Sequence, residues 1–461
     1  MTTNLSIGRG NRVKRWLSFT LLAAVLSGCD ALVGYEERDV LPPDQLTGPA
    51  GAAAIFAGAV RDFGAAFAGN GGGIEGQVMT SGMMADEWIL GDTFNTRLDY
   101  DSRNTLLDNS TLLGVFRALQ TARLGAHRAI NALLAAEFTE ADDARFGRMY
   151  NRIAMVFLMA AQNYCSGIPF SREENGQIIG GLQLTTAEML DSADFYFDKA
   201  LASAAGDANL NHDFARMGKA RVLLHRGPAS FAQAAALVAG VATSLRVINE
   251  HSTANNINEN GIFVFNTQNR RWVLAHNEGT NGLPFRGAGA GTDPAQADPR
   301  VPWVQRAAPN DVAFDGELPM YDLRTYTARD NPSVIFKGEE ARLIEAEAAL
   351  QGGDVATFLA RLNALRAGVT GLAPLADPGT AAGRVDLLFR ERAFWTFATS
   401  TRLGDMRRLI RQYGRAANTV FPIGTYHRGG NYGPDVNFPV PDQERQNPNY
   451  SDGIACLDRN A

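Results

Sequence analysis

Thr139–Tyr164, TEADDARFGRMYNRIAMVFLMAAQNY, is the stretch on which the fold turns. Ile153, Val156, Phe157, Ala160 and Tyr164 recur three and four residues apart, the spacing that lines up side chains on one face of an α-helix. Thr139 ahead of Asp142 reads as a capping box that opens the helix. The stretch before it, Leu113–Ala136, keeps the same period through Val115, Leu119, Ala122, Ala126, Ala129 and Leu133. Two amphipathic helices joined by a short turn bury their apolar stripes against each other, so the pair predicts a helical hairpin.

The pattern repeats outward from there. Thr186–Ala204 and Leu210–His225 form a second pair, with Ala215, Gly218 and Ala220 small enough for close packing, and Ser230–Leu245 begins another. Glu339–Leu350 and Val355–Arg366 restore the period later, separated by the stop Gly352-Gly353. An Ala-rich helix is predicted over Gly51–Gly69 and a long final one from Arg384 to Ile410. Hairpins in series predict a mainly α fold, a tetratricopeptide-like scaffold. Gly71 to Tyr100 reads as an irregular loop, and about 255–332 as a long loop-rich insertion with short strands such as Ile262–Phe265. In the tail, Pro439 and Pro441 force an extended path that packs across the domain as a clamp.

The N-terminus reads as an address. Arg9, Arg12, Lys14 and Arg15 precede an apolar run from Trp16 to Leu26, too short to span a bilayer, and Leu26-Ser27-Gly28-Cys29 ends it as a bacterial lipoprotein signal ends. The expectation is a signal peptide over 1–28, a lipidated Cys29 with a tether over 29–50, and one domain over 51–461; an ordinary secretory signal or a buried helix is the alternative. Asp30 leaves open which membrane receives the protein. With Cys29 acylated, Cys165 and Cys456 remain as an even pair in an oxidising compartment and are expected to form a disulfide, against the alternative of two free thiols.

Composition narrows the chemistry. The 43 Lys and Arg lose four with the leader and face 49 Asp and Glu, for a net charge of −10, and no basic block follows Cys29, which argues against a nucleic-acid partner. The remaining long apolar segments are interrupted by charge, so no spanning helix is expected. The six histidines are scattered without ligand spacing, and Gly218-Lys219 lacks the rest of a phosphate-binding loop. No metal, cofactor or catalytic residue is expected, and the protein is read as a non-enzyme; a glycosidase carboxylate pair is a lesser alternative, because spacing in sequence does not place two acids in space. The charged segment around Glu391, Trp395 and Arg402 reads as helices pairing their charges across neighbours.

Leu388-Phe389-Arg390-Glu391-Arg392, then Arg402, Asp405, Arg407 and Arg408, then Phe438-Pro439-Val440-Pro441-Asp442-Gln443-Glu444 and Asn447-Pro448-Asn449, together resemble the C-terminal signature of the SusD/RagB lipoproteins. Arg342–Leu350 with Leu362–Ala367 resembles that family's preceding helix pair, and Asp298-Pro299-Arg300 its mid-chain turn. Thr399, Gly404 and Cys165-Ser166-Gly167 depart from the pattern. The resemblance implies a lipid-anchored, outer-membrane, surface-exposed binding protein that takes up oligosaccharides or peptides. It would pass them, as a lid, to a TonB-dependent transporter of the SusC/RagA kind. It directs attention to two loop regions as candidate ligand sites: Asp86, Trp88, Arg97 and Tyr100 in the first, and Trp272, Trp303, Tyr321 and Tyr326 in the second. The alternative of another class is a non-catalytic helical-repeat interaction protein of the cell envelope.

Overall fold

The structure is a computed structural model that describes residues 46–459. The segment read as a signal peptide, Cys29 and most of the expected tether lie outside the described residues.

Helix α1 (Gly48–Ala68) packs along α4 (Ser110–Ala135). With 21 residues and a mean hydropathy of 1.2, α1 is long and apolar enough to cross a membrane by length and composition; its Ala59, Phe63, Ala66 and Phe67 are buried in the protein's own core. Between them stand α2 (Gln77–Ala85), β1 (Trp88–Leu90) and α3 (Asn95–Asp101), where the sequence reads as loop. These elements are too short for a periodic signal, and α2 is buried on every side.

From α4 the chain runs through stacked helices: α5 (Ala144–Asn163), α6 (Thr186–Ala202), α7 (Leu210–Arg226), α8 (Phe231–Val238), α9 (Glu339–Gln351) and α10 (Val355–Ala367). Each packs on the one before it. The fold is mainly α and tetratricopeptide-like, as the hairpin pattern predicts. Gly218 is the tightest joint: a Cβ there would sit 2.0 Å from Cζ of Phe197.

The expected start of α5 is corrected. Asp143 caps the helix by accepting from the Arg145 amide at 2.9 Å, while Thr139 Oγ1 donates to Asp142 Oδ2 at 2.6 Å outside it. Residue 230 onward makes only the short α8 before β2 (Arg246–Asn249), which pairs antiparallel with β6 (Ser333–Lys337). In the insertion, Ile262–Phe265 is helical rather than extended, because Asn260 accepts from the amides of Ile262 and Phe263 and nucleates a turn. The strands there are β3 (Trp272–Leu274), antiparallel to β1, and β4 (Trp303–Gln305), antiparallel to β5 (Tyr321–Leu323).

The predicted long C-terminal helix is two: α11 (Ala381–Trp395) and α12 (Arg402–Arg411). Thr396 and Thr399 hydroxyls donate back to the carbonyls of Arg392 and Thr396, and Ala398 and Ser400 take left-handed backbone angles. Threonine side chains offer the main chain partners other than the next helical turn. Charges on these helices pair as read. Arg392 binds Asp405 at 2.8 Å, Arg300 and Arg366 clasp Glu391 at 2.7 and 2.8 Å, and Arg221 forks onto Glu340 of α9. Gly404 has little room for a side chain: a Cβ would lie 3.1 Å from His225 and 3.3 Å from Gln162.

The tail crosses the domain. Phe438 bridges Tyr164, the Cys165 amide donates to the Phe438 carbonyl at 2.8 Å, and a disulfide joins Cys165 to Cys456 with Cα atoms 4.7 Å apart. Residues from Gly48 onward form one compact unit.

Candidate functional site

The β1–β3 pairing brings the two loop regions together, Leu90 opposite Trp272 and Trp88 opposite Leu274. It turns the eight candidate side chains inward: Trp88, Tyr100 and Trp272 are fully buried, and Trp303, Tyr321 and Tyr326 are 4% exposed. Asp86 is held by a two-pronged bridge from Arg402 at 2.7 and 2.9 Å and accepts the Leu283 amide. Trp88 packs on Phe397, Tyr100 lies against Trp272, Trp303 donates to the Arg286 carbonyl at 2.9 Å while meeting Tyr321 edge-on, and the Tyr326 hydroxyl accepts from Val334. A ring packed on both faces offers none to a ligand.

What these residues support lies directly above them. Phe94, 49% exposed, and Phe314, 46% exposed, stand on either side of the Arg271 guanidinium, whose Cζ is 5.0 Å from the first ring centroid and 4.2 Å from the second. Three segments laced by main-chain hydrogen bonds carry them. The Gly91 amide donates to the Arg271 carbonyl at 2.9 Å, the Phe314 amide to Arg270 at 2.8 Å, and the Asp315 amide to Gly91 at 2.9 Å. Gly91 allows this approach, since a Cβ would fall 2.5 Å from Cβ of Ala313.

A run of ion pairs fixes the platform from beneath. Arg271 Nη1 donates to Asp92 Oδ2 at 2.7 Å, Arg97 bridges Asp92 and Glu75, and Tyr100 donates to Glu75 at 2.6 Å. Arg97 also lies 4.7 Å from the Phe94 centroid. Burial raises the Glu75 carboxyl above its ordinary range even beside Arg97, whereas burial is outweighed at Arg97 by Glu75, which holds the guanidinium above its usual value. Arg97 and Tyr100 thus belong to the site as its foundation.

Phe94 and Phe314 escape a periodicity reading because the segments that carry them, Gly-Asp-Thr-Phe-Asn and Val-Ala-Phe-Asp-Gly, hold no sustained helix or strand period. Chemically, two exposed rings flanking a fixed cation can stack on the C–H face of a flat ligand while the guanidinium donates hydrogen bonds.

No protein-family model matches the sequence, and no curated protein is similar to it. Solved structures are. A SusD superfamily protein from Parabacteroides distasonis ATCC 8503 is 13% identical, with 87% of this chain and 98% of that one covered and a TM-score of 0.64. A SusD-like carbohydrate binding protein from Bacteroides vulgatus ATCC 8482 is 13% identical, with 89% and 99% covered and a TM-score of 0.60. A laminarin binding SusD-like protein is 15% identical, with 87% and 98% covered and a TM-score of 0.57. At such identity the likeness is one of architecture, and it extends over nearly the whole of each neighbour: this chain has the SusD-like fold.

Proposed function

We propose that this protein is a non-catalytic carbohydrate-binding lipoprotein, anchored through Cys29 at the outer membrane, that captures oligosaccharides on the Phe94–Arg271–Phe314 platform. It would deliver them to a TonB-dependent transporter. The observation that carries the reading is the pair of half-exposed rings locked around one guanidinium. Exposed aromatic faces held beside a fixed cation are available to stack on the C–H face of a sugar. The SusD-like fold, with one neighbour named for laminarin, supports sugars ahead of peptides as the ligand class. The single domain over 51–461 and a disulfide between Cys165 and Cys456 in the exported protein are part of the same proposal.

The test is calorimetric titration of laminarin and other soluble glycans into wild type and the Phe94→Ala/Phe314→Ala double variant. Losing two stacked faces should weaken binding at least about tenfold while the thermal unfolding midpoint holds, because neither ring is in the core. Unaltered affinity in the double variant removes the platform from the reading. Failure of every glycan to bind, with a partner protein captured instead, would favour the interaction protein.

A further inference from the structure

A concavity lies elsewhere. A groove of about 940 Å³ runs along α1, and a second of about 320 Å³ continues it, the two sharing Phe56, Arg148, Ile248 and Glu250. Neither is lined by Phe94, Arg271 or Phe314. Phe56 and Val60 of α1 with Ile248 of β2 supply apolar lining, Arg148 and Arg152, one turn apart on α5, supply cationic lining, and Glu250, Glu259, Asp330 and Asp207 also reach the two grooves.

Arg152 is buried and Arg148 half-buried, and both have fewer partners than most buried arginines of the protein. Arg221, Arg392 and Arg402 each meet a carboxylate, and Arg103 donates to two carbonyls. Arg152, 2% exposed, donates only to the Arg148 carbonyl at 3.1 Å; its Nε has no partner among the described residues, and its Cζ stands 5.4 Å from the Phe63 centroid. Arg148 has a ring contact with Phe56 at 5.8 Å and no side-chain hydrogen bond or ion pair among the described residues. Burial, then the like charge of Arg148, holds the Arg152 guanidinium well below its ordinary value, and the exposed Glu250 offsets this only in part. A buried cation without an acid is costly, and two cations at i and i+4 repel each other. An anion set between them relieves both penalties.

We propose that Arg148 and Arg152 form a second binding site, for the carboxylate of an organic acid whose apolar side lies along Phe56, Val60 and Ile248. Forked donors suit a planar carboxylate, and the groove has room for more than the charged group. A uronic-acid oligosaccharide and an aliphatic acid present the same chemistry here, and the experiment separates them.

Thermal unfolding is followed with millimolar trigalacturonate, its methyl ester and decanoate, using the full chain, Arg148→Gln, Arg152→Met and the Phe94→Ala/Phe314→Ala variant. A ligand that binds only the folded state raises the midpoint, here by a few degrees. Trigalacturonate or decanoate should do so for wild type and for the platform variant, the first identifying an acidic sugar and the second an aliphatic acid, and the shift should vanish in both arginine variants. Arg152→Met should fold at least as stably as wild type in ligand-free buffer, since methionine fills the space without the charge. The proposal is overturned if neither acid shifts the midpoint, if the ester matches the acid, if the shift survives in the arginine variants, or if the platform variant abolishes it.

Discussion

Glu87→Gln should remove most of one pH dependence of this fold. Glu87 is 1% exposed; its Oε1 accepts the Ala398 amide at 3.2 Å, and its Oε2 has no partner among the described residues. Burial chiefly, with Asp86 adding, pushes its carboxyl up to about 8, against the pull of the Ala398 amide, Arg402 and Lys337. The unfolded chain ionises this group near pH 4.5 and the folded chain near 8, so across that window unfolding releases a proton and stability falls as pH rises. At roughly 1.4 kcal/mol per pKa unit, Glu87 alone removes about 3 kcal/mol between pH 5 and pH 8. Glutamine keeps the acceptor for Ala398 and cannot ionise. Urea unfolding at pH 5, 6.5 and 8 should therefore show the variant close to wild type at pH 5 and more stable by about 3 kcal/mol at pH 8. Parallel wild-type and variant profiles across this range would refute the reasoning, because they would mean that Glu87 is ionised in the folded protein.

Gly91→Ala should weaken glycan binding several-fold with both rings still present, since the added methyl displaces the Ala313 segment that carries Phe314; titration reads the affinity and circular dichroism the fold. Arg402→Ala leaves Asp86 buried without its cation and should cost about 3–5 kcal/mol, read as a drop in urea midpoint. Cys165→Ser with Cys456→Ser should lose roughly 5 kcal/mol by the chain-entropy argument for a 291-residue separation; mass analysis of non-reduced wild-type peptides that finds two free thiols would dismiss the bond.

The helical scaffold was legible because each stacked helix buries one stripe, and Ile153, Val156, Phe157 and Ala160 announce that stripe locally. What escaped depends on partners far away in sequence. Nothing near Ala398 announces that Glu87, 311 residues earlier, receives its amide and helps end α11. Ile262–Phe265 alternates little and is β-branched and aromatic, yet one asparagine cap outweighs that preference. Tryptophan and tyrosine drew the site expectation to side chains that the fold buries. Large rings signal burial as readily as recognition, and only the tertiary pairing of β1 with β3 decides which residues remain outside.

The Cys165–Cys456 bond also closes most of the domain into a covalent ring. Arg271 and Phe314 lie within it, and Phe94 lies on the arm outside. A protease that cuts once at an exposed turn of the insertion, such as Gly287–Gly291, opens the ring without releasing a fragment. The nicked protein should run as one species on a non-reducing gel and as two after reduction. Such a closure makes a single cleavage survivable: Phe94, Arg271 and Phe314 stay covalently tethered in one molecule.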